Sequence, residues 1–289
     1  MFTQSLGHLQ RSSQSADTRS RLGYRQDDCE AADHKPMLRI LSTLACLILL
    51  IVSAAGMVGG AQPTTEGAGR AVVMLTGSRG SFCSGVALAR DLVLTAAHCV
   101  LPGADYKLVE FDSARQPALR DIMRIARHPE FDVDAALRHR VTADVALLKL
   151  AAPLTIVPAP LARGGAPVAV GDRFVVAGYG VAVRGDGKSG GTIRAATLVA
   201  TGQPGTLQIR LTDPLTKGER TGLGACTGDS GAPVYREVDG ALAVVGVVSW
   251  STGPALSEGC GGLTGVTPLA RYLAWIVEQA GKMGVALPR

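Results

Sequence analysis

Apolar residues in this chain come in short runs that glycine, proline or a polar cluster cuts off. That pattern narrows the fold before any single residue is considered, because runs of this length suit strands and are too short for packed helices. They fall at residues 71–76, 84–88, 92–96, 107–111, 122–128 and 145–150, and again at 173–178, 192–201, 206–211, 233–236 and 242–249. Between the two sets lies 153–171, rich in Pro, Ala and Gly, which reads as a linker between two domains. The 36 glycines and 15 prolines supply turns, and 47% hydrophobic residues supply real cores. The reading is therefore all-β, a sandwich or barrel, and a wholly disordered chain is excluded. Helix is confined to 269–280, where Leu269, Leu273, Ile276 and Val277 share one face, with Pro268 before and Gly281 after. The formal charge of +5 is spread without a lysine or arginine block, so a nucleic-acid partner is not expected.

The first 56 residues belong to a different kind of sequence. Residues 1–36 are polar and aperiodic; they read as a disordered extension, or as one never translated if Met37 is the true start. Met37-Leu38-Arg39, an apolar run over 40–52 and Ser53-Ala54-Ala55-Gly56 then supply a basic start, a hydrophobic segment and a small-residue cleavage site, a signal peptide over 37–56. Residues 38–58 are also just long enough to span a bilayer, so an uncleaved anchor is the competing reading, and only that reading brings the chain to a membrane. Thr43, three positions before Cys46, makes a poor lipoprotein site. Export removes Cys29 and Cys46 and leaves Cys83, Cys99, Cys226 and Cys260, an even set that predicts two disulfides in any of three pairings.

Three stretches carry candidate chemistry. Cys226-Thr227-Gly228-Asp229-Ser230-Gly231-Ala232-Pro233 sets a serine between glycines with an acid before it. A serine hydroxyl reacts only with a base in reach and donors for the oxyanion it creates, and glycines allow the tight turn that exposes it. Leu94-Thr95-Ala96-Ala97-His98-Cys99-Val100 ends an apolar strand in a histidine. Thr142-Ala143-Asp144-Val145-Ala146-Leu147-Leu148-Lys149-Leu150 begins one with an aspartate. Taken singly, the histidine reads as a buried imidazole bonded to a carbonyl, and the aspartate as a strand-start acid.

Together and in this order, the three stretches resemble the chymotrypsin/trypsin family of serine endopeptidases. Arg127-His128-Pro129-Glu130-Phe131-Asp132 and Val248-Ser249-Trp250 extend the likeness, which covers 57–289. The resemblance implies two antiparallel Greek-key six-stranded β-barrels, 57–162 and 163–289, with the active site between them and a terminal helix on the second. It implies that Ser230 attacks a peptide carbonyl, that His98 is its base, that Asp144 orients His98, and that the Gly228 and Ser230 amides form the oxyanion hole. It pairs Cys83 with Cys99 and Cys226 with Cys260. Met57-Val58-Gly59-Gly60 looks like the terminus whose freed ammonium pairs with Asp229, so that signal cleavage after Gly56 would itself activate the enzyme; Met where the family has Ile is a departure. Substrate would meet Gly224 as pocket floor, Ser251 and Gly265 as walls, and the Ser249-Trp250-Ser251 segment as a pairing strand. An uncharged Gly224 implies an apolar or broad P1 preference, with Glu258 near the rim able to restore some taste for basic residues.

The expected partners are protein or peptide substrates and a protein inhibitor, for a monomer that is secreted or periplasmic. No cofactor or metal is expected, and ligand spacing over 110–121 is unconvincing for calcium. His128 reads as structural and His139 as a surface residue. The competing functions are a catalytically silent binding protein on the same fold and a membrane-anchored zymogen.

Overall fold

A computed structural model describes residues 57–289 except 113, 115, 165–166, 202–206 and 288–289. The expectations for 1–36 and for the signal peptide over 37–56 lie outside the described residues. A two-residue strand, β1 (Gln62–Pro63), leads into β2 (Val72–Gly77), β3 (Phe82–Ala89), β4 (Leu92–Thr95), β5 (Tyr106–Phe111), β6 (Pro117–Arg127) and β7 (Ala146–Leu150). Strands β2 to β7 close an antiparallel barrel in the order β2-β3-β4-β7-β6-β5.

The second half supplies β8 (Arg173–Gly178), β9 (Arg194–Ala200), β10 (Ile209–Thr212), β11 (Pro233–Val238), β12 (Ala241–Ser251) and β13 (Thr264–Pro268). They run β9-β10-β13-β12-β11-β8, and the β8–β9 pairing closes the ring, with β1 added outside β9. The chain is thus two six-stranded antiparallel barrels.

The short apolar runs seen in sequence become burial. Val73, Leu75, Leu108, Leu148 and Leu150 fill the first barrel, and Phe174, Val176, Leu198, Leu211, Val234 and Val266 fill the second. A third cluster, with Val86, Leu94 and Leu147 from one barrel, Tyr235 and Val247 from the other, and Ile276 from the last helix, welds the two. The linker over 153–171 is part of this weld: Ala159 N donates to Ala87 O, and Ala162 N to Val244 O.

Several expected boundaries shift. Strand β6 begins ahead of residue 122, because 117–121 are held by pairing with β5 while alternate side chains face solvent. Strand β13 was not expected at all: Thr-Gly-Val-Thr-Pro shows almost no apolar period, yet every residue is buried between β10 and β12. The final helix, α2 (Leu273–Lys282), starts later than residue 269, after a 3₁₀ turn over Ala270–Tyr272. An unexpected short helix, α1 (Val133–Leu137), is capped by Asp132 Oδ1, which accepts from Asp134 N and Ala135 N. Among the described residues no helix is long and apolar enough to cross a membrane.

Both disulfides form in the pairing the resemblance implies, Cys83–Cys99 and Cys226–Cys260, with sequence separations of 16 and 34. Closing a loop as short as the first restricts the unfolded chain by about 3 kcal/mol. The double variant Cys83→Ala/Cys99→Ala is therefore expected to lose about that much stability in urea unfolding, with the second disulfide intact. An unchanged midpoint contradicts this.

Candidate active site

Strand β4 delivers Thr95 into a 3₁₀ turn over Ala97–Val100, and the turn presents His98. Strand β7 is preceded by Asp144, whose side chain is fully buried. Its Oδ1 accepts from His98 N at 3.0 Å and its Oδ2 from His98 Nδ1 at 2.8 Å. Ser249 Oγ donates to the same Oδ2 at 2.5 Å. Ser249 reaches across because β12 carries an irregularity between Val248 and Trp250, and such a bulge re-aims the side chain at its centre.

Burial alone would push the Asp144 carboxyl up, but the His98 hydrogen bond and charge, the Ser249 hydroxyl and the His98 amide outweigh it and hold it below the ordinary carboxylate value. Asp144 is therefore ionised at neutral pH, and His98 is held with its proton on Nδ1.

The serine turn packs against this strand. Ser230 O accepts from Ser84 N at 2.8 Å, and Gly231 N donates to Val248 O at 2.7 Å. Gly228 has φ +94, and a methyl there would lie 2.1 Å from the Phe82 ring, so both conformation and space demand glycine. Asp229 N and Ala232 N are paired within the turn. Among the described residues the Gly228 and Ser230 amides, on either side of Asp229, have no acceptor. Ser230 Oγ makes no hydrogen bond to His98 among the described residues; such bonds are often open in a free enzyme and tighten with substrate.

Ser84 is a site residue that the sequence reading passed over. Fully buried, it donates through Oγ to Gly228 O at 2.8 Å and accepts from Tyr179 N at 2.9 Å, bolting the first barrel to the serine turn and to the second barrel. A lone hydroxyl in the otherwise apolar run of β3 was the available signal. His128 is structural, edged between Tyr272 and Trp275 at 5.0 and 4.9 Å, and burial lowers its pKa. His139 is exposed, as a surface residue should be, yet its ring stacks on Trp250 at 4.8 Å. Together with His98, Leu101 and Val133 these two rings line a cavity of about 260 Å³. Cys83, His98 and Cys99 lie close enough for a metal, but the two sulfurs are bonded to each other and offer no thiolate.

At the expected substrate side, Gly224 bridges Val58, and a methyl on it would lie 3.1 Å from Gly261 Cα. Trp250 pairs with Gly265 and Ser251 with Thr264. A methyl at Gly265 would lie 2.0 Å from Trp250 Cε2, so that glycine makes room for the indole. Asp229 is fully buried; its Oδ1 accepts from Gly180 N and its Oδ2 from Cys226 N, both at 2.9 Å. Met57 and Val58 are buried too.

This fold, with a buried aspartate-histidine pair and a serine turn, is that of the trypsin-like serine protease family, and the chain belongs to that family: the Trypsin family model matches residues 58–276. Among curated proteins it is similar to the vitamin K-dependent protein C of Mus musculus, 30% identical over 239 residues, covering 74% of this chain and 50% of that relative. The chain spans about half the length of that protein.

Burial is the main influence on Asp229, and it raises the carboxyl from 3.8 to about 7 despite two amide donors and the Arg194 charge. A carboxyl raised on folding binds its proton more tightly in the folded state, so its contribution is fully present below about pH 4 and lost as pH rises through about 7. In a chain still continuous through Met57, stability is expected to fall over that window by on the order of 4 kcal/mol. Asp229→Asn should flatten the fall, as read by urea unfolding at a series of pH values; an equal slope in both proteins contradicts it.

Proposed function

We propose that the chain is a secreted serine endopeptidase in which Ser230, His98 and Asp144 cleave peptide bonds through an acyl-enzyme intermediate. The state of Asp144 carries this reading. A fully buried carboxylate is costly, and this one accepts from both the backbone and the ring of a single, partly exposed histidine. With Nδ1–H held by Asp144, His98 Nε2 is the acceptor that takes the Ser230 proton as Oγ attacks the scissile carbonyl carbon. The imidazolium returns that proton to the leaving amine, and water then repeats the sequence to release the acid. The unspent Gly228 and Ser230 amides receive the oxyanion, where one donor is worth about 100- to 1000-fold in rate.

The packing of 57–60 supports Met57 as the activating terminus. Gly59 has φ +89, and a methyl on it would lie 2.2 Å from the Gly222 carbonyl, so the segment is pressed into the second barrel next to the serine loop. Cleavage after Gly56 would free an ammonium for Asp229. Export agrees with two disulfides. An apolar or broad P1 preference is supported by the absence of charge at Gly224. Asp213, the buried acid of the same loop, commits its two oxygens to the amides of Leu215 and Leu223.

A serine-directed phosphonate is expected to label the mature protein at Ser230 and to leave Ser230→Ala unlabelled. Labelling of neither identifies a silent binding protein instead. Asp144→Asn should fold and lose about 10⁴-fold in kcat. Over a panel of peptides varied at P1, apolar and aromatic residues should exceed Arg and Lys in kcat/KM; a strong Arg preference overturns the reading of Gly224.

A further inference from the structure

Arg194 is the one buried cation among the described residues, and nothing above gives it a task. It opens β9, is only 9% exposed, and its Nε has no partner among the described residues. Its Nη1 makes only long bonds, to Ser189 O at 3.4 Å and Thr192 O at 3.3 Å. A guanidinium is expensive to bury on so little. The β-register says what it faces. Arg194 stands directly opposite Gly178 in the antiparallel β8–β9 pair, and directly opposed residues put their side chains on the same face. On Gly178 that face is filled by Asp229: a methyl there would lie 2.2 Å from Asp229 Oδ1. Arg194 is therefore on the side of the sheet where the one fully buried carboxylate of the serine turn sits. No ion pair within 4 Å joins them among the described residues, but the guanidinium charge acts on the Asp229 carboxyl against the burial that raises it.

We propose that Arg194 is the resident counter-charge of Asp229, a positioning residue that keeps the Gly228–Ser230 turn in place while Met57 is still joined to Gly56, and that cedes this task to the Met57 ammonium after cleavage. The proposal rests on the reading of Met57 as the activating terminus. Its consequence is that the uncleaved chain holds its oxyanion amides partly assembled and is not a silent zymogen.

The test compares two N-terminal forms, one beginning at Met57 and one retaining Gly56, each as wild type, Arg194→Met and Arg194→Lys. Urea unfolding and the rate of phosphonate labelling are read on all six. In the Gly56 form, Arg194→Met should lower the labelling rate at least about tenfold, with Arg194→Lys restoring most of it. In the Met57 form the same substitution should change the rate by less than about threefold. The urea midpoint should follow, falling more in the Gly56 form than in the Met57 form. Equal losses in both forms, or no loss in the Gly56 form, overturn the proposal. If wild type beginning at Met57 is not labelled, the protease reading has failed, and the difference in urea midpoints decides the role of Arg194 by itself. If the two wild-type forms are labelled at the same rate and unfold at the same midpoint, the activation reading has failed, and the proposal with it.

Discussion

The structure depends on the burial of Asp144. Its oxygens draw in the amide and ring of His98 from the end of β4 and the hydroxyl of Ser249 from β12. One side chain therefore fixes elements of both barrels to each other at the site. A carboxylate placed there without those donors would either take up a proton or open the interface to water. The apolar weld of Val86, Leu94, Leu147, Tyr235 and Val247 supplies the dry surroundings in which those hydrogen bonds count.

The chain buries a second acid under opposite terms. Asp144 is held ionised by three donors, while Asp229 has two amides and a more distant guanidinium and is raised to about 7. The first acid serves a geometry that must not change. The second is under-compensated, a deficit that the proposed arrival of the Met57 ammonium would make good. That contrast gives physical meaning to the glycines around it: Gly178 and Gly180 have no side chain because Asp229 fills the space one would need. Ser84, hydrogen-bonded to Gly228 O and Tyr179 N, ties the same turn to the first barrel.

Much of this was legible in the sequence. Short apolar runs gave strands within a residue or so where the run was continuous and sharply bounded, as at β4 and β8. The order of His98, Asp144 and Ser230, with the cysteines, carried the family and both disulfides. The misses have a common cause. Strand β13 is buried by its neighbours on both sides and has no apolar period of its own. The Ser84 bolt and the His139–Trp250 stack are contacts between residues far apart in sequence, and the placing of Arg194 on the Asp229 side of the sheet is likewise set by register and loop path. Local pattern contains no information on those.

Asp144 holds His98 as the Nδ1–H tautomer, with Nε2, 3.8 Å from the Cys99 sulfur, left as the ring nitrogen that can accept a proton. Proton NMR of the folded protein, with ¹⁵N-labelled histidine, tests this directly. A His98 Nδ1–H resonance well downfield of the amide region, slow to exchange and lost in Asp144→Asn, is expected. A His98 ring whose proton sits on Nε2 in the wild-type protein, or an Nδ1–H signal that Asp144→Asn leaves unmoved, would contradict it.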